Sequence, residues 1–197
     1  MSNENNEGVE KEKKYLLKND SWKKGVANKD TIYQAYVSWD KIKVEVKGTT
    51  LKVTTVDGFK MTKPISEKEA RLLTEHLHRD EKVFRIRNKS GKLLLTIKID
   101  IGIVGEQVEV EPTLNEEEFK EFEKHIYSYV SKVRNYVKVG KHVFEIDEFK
   151  KKNADREPLA EIELNDLNEE HAIPDWLGVE VTGDPRYFNE TIARENM

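Results

Sequence analysis

The chain has 197 residues, enough for one domain with room for an insertion, and 37% are charged against 37% apolar. Lys+Arg 34 against Asp+Glu 38 leaves a net charge of −4, without the positive excess that a nucleic-acid backbone calls for. Cys 0 excludes disulfides, thiolate metal ligands and cysteine nucleophiles, and no apolar run nears the ~20 residues that span a bilayer. The first eight residues are polar and acidic, unlike the basic and apolar regions of a secretory signal. Residues 1–8 therefore read as a disordered tail, 9–197 as a single domain, and the cytoplasm as its compartment.

From residue 9 onward, period-2 alternation dominates, the mark of strands with two unlike faces. The predicted strands are 9–17, 31–37, 41–47, 51–56 and 59–62, then 82–88, 92–99 and 106–111, then 131–139, 142–149 and 160–164. Asp57-Gly58 and Gly140-Lys141 supply hairpin turn chemistry between neighbouring runs. Two helices interrupt the strands. Ser66-Glu67-Lys68-Glu69 has capping-box spacing, with Ala70, Leu73 and Leu77 following on one face. The second starts near Asn115, with Phe119, Phe122, Ile126 and Val130 as its apolar stripe. Pro174 and Pro185 break the C-terminal part into turns, with at most a short helix around 175–177. The class is α+β, dominated by antiparallel strands.

Several strands carry ionic residues two apart, which places both on one face. These are Glu10-x-Glu12-x-Lys14, Arg85-x-Arg87, Glu109-x-Glu111, Lys132-x-Arg134, Glu145-x-Asp147 and Glu161-x-Glu163, with Lys98 after an apolar run. A solvated sheet face is the ordinary explanation of any one such pair. Doubling like charges costs repulsion, however, and a sheet curled into a barrel with ionic faces inward would let the two signs support each other. Carboxylates suit hard cations such as Mg²⁺ and Mn²⁺, and Arg and Lys suit phosphate oxygens. A ligand with several phosphates bridged by divalent metals would satisfy both sets.

These motifs resemble the CYTH domain, the triphosphate tunnel metalloenzymes. Glu10-Lys11-Glu12-Lys13-Lys14 is similar to the family's opening ExExK motif. The likeness runs through Phe84-Arg85-Ile86-Arg87, Leu95-Thr96-Ile97-Lys98, Glu145-Ile146-Asp147 and Ala160-Glu161-Ile162-Glu163-Leu164, ending in Ile173-Pro174-Asp175-Trp176-Leu177-Gly178 and Val181-Thr182-Gly183-Asp184-Pro185-Arg186-Tyr187. That last stretch resembles the tail of small bacterial members. The resemblance implies a closed antiparallel eight-stranded barrel with a few flanking helices, Mg²⁺ or Mn²⁺ as cofactor, and a small triphosphate-bearing substrate, inorganic triphosphate favoured. It implies metal ligands at Glu10, Glu12, Glu109, Glu111, Glu145, Asp147, Glu161 and Glu163. Phosphate would be held by Lys14, Arg85, Arg87, Lys98, Lys132 and Arg134, with Glu10, Glu12, Lys14 and Asp147 catalytic.

The family usually has Arg-x-Glu just before its middle Glu-x-Glu, where this chain has Gly105 and Gln107. Residues 38–82 have no counterpart in a minimal member and read as an inserted hairpin plus helix, structural or gating. Adenylate cyclase, a nucleoside or thiamine triphosphatase, and a non-catalytic polyphosphate or nucleotide binder are the alternatives. The chain is expected as a monomer or homodimer with no nucleic-acid or membrane partner. The histidines are not expected to form a zinc site: His76 and His78 read as exposed, and His125, His142 and His171 as isolated. Trp22 and Trp176 read as packing anchors, and Arg186 as a group at a tunnel mouth or in packing.

Overall fold

Strands whose residues alternate between apolar and ionic need one dry face and one wet or self-neutralising face. A computed structural model shows how this chain provides both, and it describes residues 7–150 and 153–195. The predicted tail lies largely outside them, although Glu7 and Gly8 form a turn whose Gly8 carbonyl accepts from the Glu109 N–H at 3.0 Å. In chain order the strands are β1 (Val9–Leu17), β2 (Val26–Val37), β3 (Ile42–Lys47), β4 (Thr50–Thr55), β5 (Lys60–Pro64), β6 (Lys82–Lys89), β7 (Lys92–Ile103), β8 (Glu106–Val110), β9 (Ile126–Val139), β10 (His142–Lys150), β11 (Leu159–Glu163) and β12 (Leu177–Glu180). The helices are α1 (Glu67–His76), α2 (Glu116–Glu123) and α3 (Asn189–Arg194).

Eight strands hydrogen-bond in the order β11-β10-β9-β2-β6-β7-β8-β1, and β1 pairs back with β11. The ring is closed, every pairing in it is antiparallel, and none of its strands is left as an edge along its full length. β12 adds to β1, and β3-β4-β5 form a separate small sheet.

The dry faces point outward. Ala35, Phe84, Ile86, Leu95, Ile97, Val108 and Val110 pack under Leu51, Val53 and Met61 of the small sheet, Leu73 of α1 and Phe119 and Phe122 of α2. Around the other side, Tyr15, Val137, Phe144, Ile146, Ala160 and Ile162 pack with Trp22 and Trp176, which serve as the expected anchors. Ile192 and Ala193 of α3 rest on Tyr36, Val130, Phe149 and Leu159. With the exterior of the ring covered, its ionic faces have only the interior left.

Several elements differ from the sequence reading. Helix α2 stops at Glu123, and Ile126 and Val130 belong to β9, which begins five residues before the predicted start. The run Ile126-Tyr127-Ser128-Tyr129-Val130 is β-branched and aromatic, and its ladder with β2 overrides the helical spacing. β2 starts at Val26 after a 3-10 turn that buries Trp22. The short helix expected at 175–177 is replaced by a turn leading into β12, and α3 follows where only turns were expected. No described helix is long and apolar enough to cross a membrane.

Candidate functional site

Ladder registers place all the singled-out ionic residues on the inner face. Lys14 stands opposite Glu161 and Glu12 opposite Glu163 across β1 and β11, and Glu145 pairs with Glu161 across β10 and β11. Arg134 stands opposite Asp147, Lys98 opposite Glu109, Glu10 opposite Gln107, and Arg85 opposite both Tyr36 and Thr96. Residues two positions along share those faces, which adds Arg87, Glu111 and Lys132. The signs are segregated around the ring. Every one of these acids lies on β10, β11, β1 or β8 or directly after it, four adjacent strands, whereas Lys98, Arg85, Arg87, Lys132 and Arg134 lie on β7, β6 and β9. Only Lys14 stands on the acidic side. Between β6 and β9, β2 contributes neutral Gln34 and Tyr36, joined by a 2.5 Å hydrogen bond.

Opposite signs meet inside. Arg134 is the most heavily engaged: Nε donates to Asp147 Oδ1 at 2.7 Å, Nη2 reaches Asp147 at 2.7 Å and Glu161 at 2.6 Å, and Nη1 reaches Glu145. Lys132, 1% exposed, donates to Asp147 and to Asn189 Oδ1 of α3 at 3.0 Å. Lys14 lies 2.9 Å from Glu161 and 3.8 Å from Glu12, and donates to the Tyr187 carbonyl at 3.3 Å. Lys98 bridges Glu109 at 2.7 Å and Glu10. Arg87 contacts Glu111, which also accepts from Thr96 Oγ1 at 2.7 Å.

These surroundings shift proton affinities in opposite directions. Burial pushes the Lys132 ammonium down to about 8, outweighing Asp147. Burial opposes ionisation of Glu161 too, but Lys14 and Arg134 outweigh it and hold that carboxyl well below the ordinary range. Against burial, Lys98 and Arg85 bring Glu109 down to about 2. Glu10 goes the other way, pushed well up by burial and by the Glu109 charge. Glu163 is likewise raised, by burial and then by repulsion from Glu145 and Glu109. The acidic side thus holds more negative charge than its own cations neutralise.

Two cavities open from this cluster. The larger, about 620 Å³, is lined by Glu10, Glu109, Glu111, Glu145 and Glu163, with Glu69 of α1 and His142 at its border. The other, about 290 Å³, is lined by Glu12, Lys14, Tyr36, Arg85 and Lys98, with Ile103, Val104 and Phe188 among its apolar members. The Lys98 ion pairs with Glu10 and Glu109 stand between the two. Nε of Arg85 and of Arg87 is buried and has no hydrogen-bond partner among the described residues. Buried guanidinium N–H groups without an acceptor mark a place for an anion.

The oxygen-rich acidic side has the donor chemistry that Mg²⁺ and Mn²⁺ prefer, and the mutual repulsion of Glu163, Glu145 and Glu109 is what a divalent ion would relieve. The residues fit such an ion. Among the described residues no three acids or histidines already converge as a metal cluster, because most of these acids lean on a lysine or an arginine.

No family model matches the chain. A known protein, the inorganic triphosphatase of Acetivibrio thermocellus, is 36% identical over 118 residues, which cover 58% of this chain and 73% of that relative. This chain belongs to the CYTH family of triphosphate tunnel proteins. Two solved structures of NE1496, one described as an inorganic triphosphatase, share the CYTH fold at TM-score 0.53 and 20% identity, covering 93% of this chain and 93% or 97% of theirs.

Within that family frame, the backbone at the departing position Gly105 is shaped for glycine. Its φ of +85° suits glycine, and a Cβ there would lie 2.9 Å from the Glu12 carbonyl and 3.1 Å from Leu167 Cδ2. No arginine side chain fits at that position of this CYTH chain. Gln107 faces inward opposite Glu10.

Other residues were missed or misjudged from sequence. Asn189, Tyr187 and Thr96 hold interior lysines and acids but carry no charge pattern that would flag them. His142 and His171 are not isolated: their rings lie 6.3 Å apart, His142 meets Glu169 at 3.0 Å and His171 meets the Tyr15 hydroxyl at 2.9 Å. His125 lies 3.3 Å from Asp57. His78 is exposed, whereas His76 is half-buried. Arg186 is exposed and forks onto Asp184 at 2.5 Å.

Proposed function

We propose that this chain hydrolyses a triphosphate, inorganic triphosphate first, inside a tunnel formed by the closed ring, with Mg²⁺ or Mn²⁺ held on its acidic side. The observation that carries this reading is the segregation of charge: a wall of carboxylates faces a wall of guanidinium and ammonium groups across one enclosed space. Arg85 and Arg87 offer their free Nε–H groups to phosphate oxygens, and Lys98 and Lys14 neutralise the neighbouring ones. Arg134 and Lys132 add positive charge deeper in the ring. Cations fixed before the reaction stabilise charge that moves to the leaving oxygen.

Glu10, Glu12, Glu109, Glu111, Glu145, Glu161 and Glu163 would hold the metal, which neutralises phosphate charge and activates water when bound. Both oxygens of Asp147 are engaged by Arg134 and Lys132, and both of Glu161 by Lys14 and Arg134, so these two acids would position those cations and release an oxygen to the metal only when it binds. Glu12 lines the smaller cavity with only a 3.8 Å contact to Lys14, which supports a role in orienting water there.

The apolar members of that cavity, Ile103, Val104 and Phe188, support a second reading in which an organic triphosphate such as ATP is also accepted. Orthophosphate release from inorganic triphosphate, with and without added Mg²⁺ or Mn²⁺, tests the first reading. Turnover is expected only with metal, and Glu12→Gln is expected to abolish it while thermal unfolding stays unchanged. Metal-independent turnover, or full activity in that variant, contradicts the proposal. ATP assayed for phosphate against cyclic AMP tests the second.

A further inference from the structure

Lys98 stands where the basic and acidic sides of the ring adjoin, on β7, and bridges two acids of the next strands, β8 and β1. Its ammonium contacts Glu109 at 2.7 Å and Glu10 on the neighbouring strand, and its side chain is 12% exposed. The ammonium sits where two carboxylates converge, the seat that hard-cation chemistry favours. Beside it, the buried Nε of Arg85 lacks an acceptor among the described residues, an independent mark of an anion site. Two cations cannot share the Glu10–Glu109 seat, since repulsion over a few ångströms in a poorly solvated interior is severe.

We propose that Lys98 is an exchangeable gate: its ammonium occupies the Glu10–Glu109 seat until an anion arriving at Arg85 draws it away and opens both carboxylates to a divalent cation. This rests on the metal-assisted reading above and adds an order to it. Anion and metal binding become linked, each strengthening the other by the same factor. The gate also keeps the acids paired when no triphosphate is present, avoiding two unpaired buried charges.

The test is Mn²⁺ binding to the full chain, followed by the loss of the free-ion electron paramagnetic resonance signal at fixed ionic strength, without phosphate. Lys98→Gln is expected to bind Mn²⁺ about tenfold more tightly than the wild type. Lys11→Gln is the control: Lys11 borders the larger cavity but pairs with Glu106 at 3.8 Å, so it removes the same charge without freeing Glu10 or Glu109. Lys98→Gln binding no tighter than Lys11→Gln overturns the gate. Should Lys98→Gln fail to fold, sulfate added to the wild type decides by sign. A gate predicts tighter Mn²⁺ binding as sulfate reaches Arg85, whereas screening of a simple acidic site weakens it or leaves it unchanged, which overturns the proposal. Triphosphate turnover is measured separately. Turnover without the Mn²⁺ effect removes the gate alone, and the Mn²⁺ effect without turnover removes the enzymatic reading alone.

Discussion

Arg134 shows how much of the interior depends on single groups. It contacts Asp147, Glu145 and Glu161, all drawn from two neighbouring strands, and is itself 7% exposed. Removing one partner of a buried ion pair leaves the others uncompensated, so Arg134→Ala is expected to lower the unfolding free energy by ~3–5 kcal/mol in urea titration. A change below ~1 kcal/mol would place Arg134 in the class of exposed ion pairs. Glu163 gives a pH signature. Its folded proton affinity is raised above the ordinary 4.5, so the folded chain takes up this proton before the unfolded chain does. Its contribution to stability is lost as pH rises through the folded value and is fully present below 4.5. Glu163→Gln is expected to flatten that part of the stability–pH curve, and the same raised value makes metal binding fail on acidification sooner than for a free glutamate. The contribution of Glu109 lies lower, lost as pH falls from 4.5 through about 2. These residues were legible in sequence as like charges two apart, which fixes their common face. Which acid meets which base was not, because Arg134 and Glu161 are joined only when the strands of the ring stack in register.

Among the elements, the clearest sequence signals mark those with local instructions. Helix α1 begins at the predicted capping box, with Ser66 accepting from Glu69 N–H and Glu69 accepting from Ser66 N–H. The three-stranded sheet follows the predicted strands and turns, and with α1 it covers Phe84, Ile86 and Leu95. Leu73→Ala at this junction, where Leu73 is fully buried, is expected to cost ~2–5 kcal/mol by leaving a cavity against the ring. A loss of under ~0.5 kcal/mol in equilibrium unfolding would mean that the junction does not support the ring. Elements without local instructions were missed. The strand β12 is four residues long and depends on β1, with Gly178 allowing an approach in which a Cβ would lie 2.6 Å from the Leu16 carbonyl. Helix α3 is only six residues, and its position comes from Ile192 and Ala193 packing and from Asn153 donating to the Ile192 carbonyl at 2.8 Å. Tertiary contacts, rather than periodicity, decide such short pieces.

At the scale of the whole molecule, ring closure converts scattered like-charge pairs into two facing walls. Alternation alone could place the ionic faces inward or outward; the doubling of like charges on single strands pointed inward, and the resemblance to the CYTH family agreed. The separation of signs between β10-β11-β1-β8 and β9-β6-β7 could not be read from chain order, since acidic and basic strands are interspersed along the sequence and sort into two groups only through the pairing order. That arrangement suits a string of phosphates lying between metal ions and basic side chains. The most direct measurement is a crystal of the full chain grown with Mn²⁺ and an imido-bridged triphosphate analogue, with anomalous scattering locating the metal. The account predicts Mn²⁺ inside the ring against Glu10, Glu109 and Glu163, with phosphate oxygens on Arg85 and Arg87. Manganese outside the ring, or an analogue bound without touching either arginine, would contradict it.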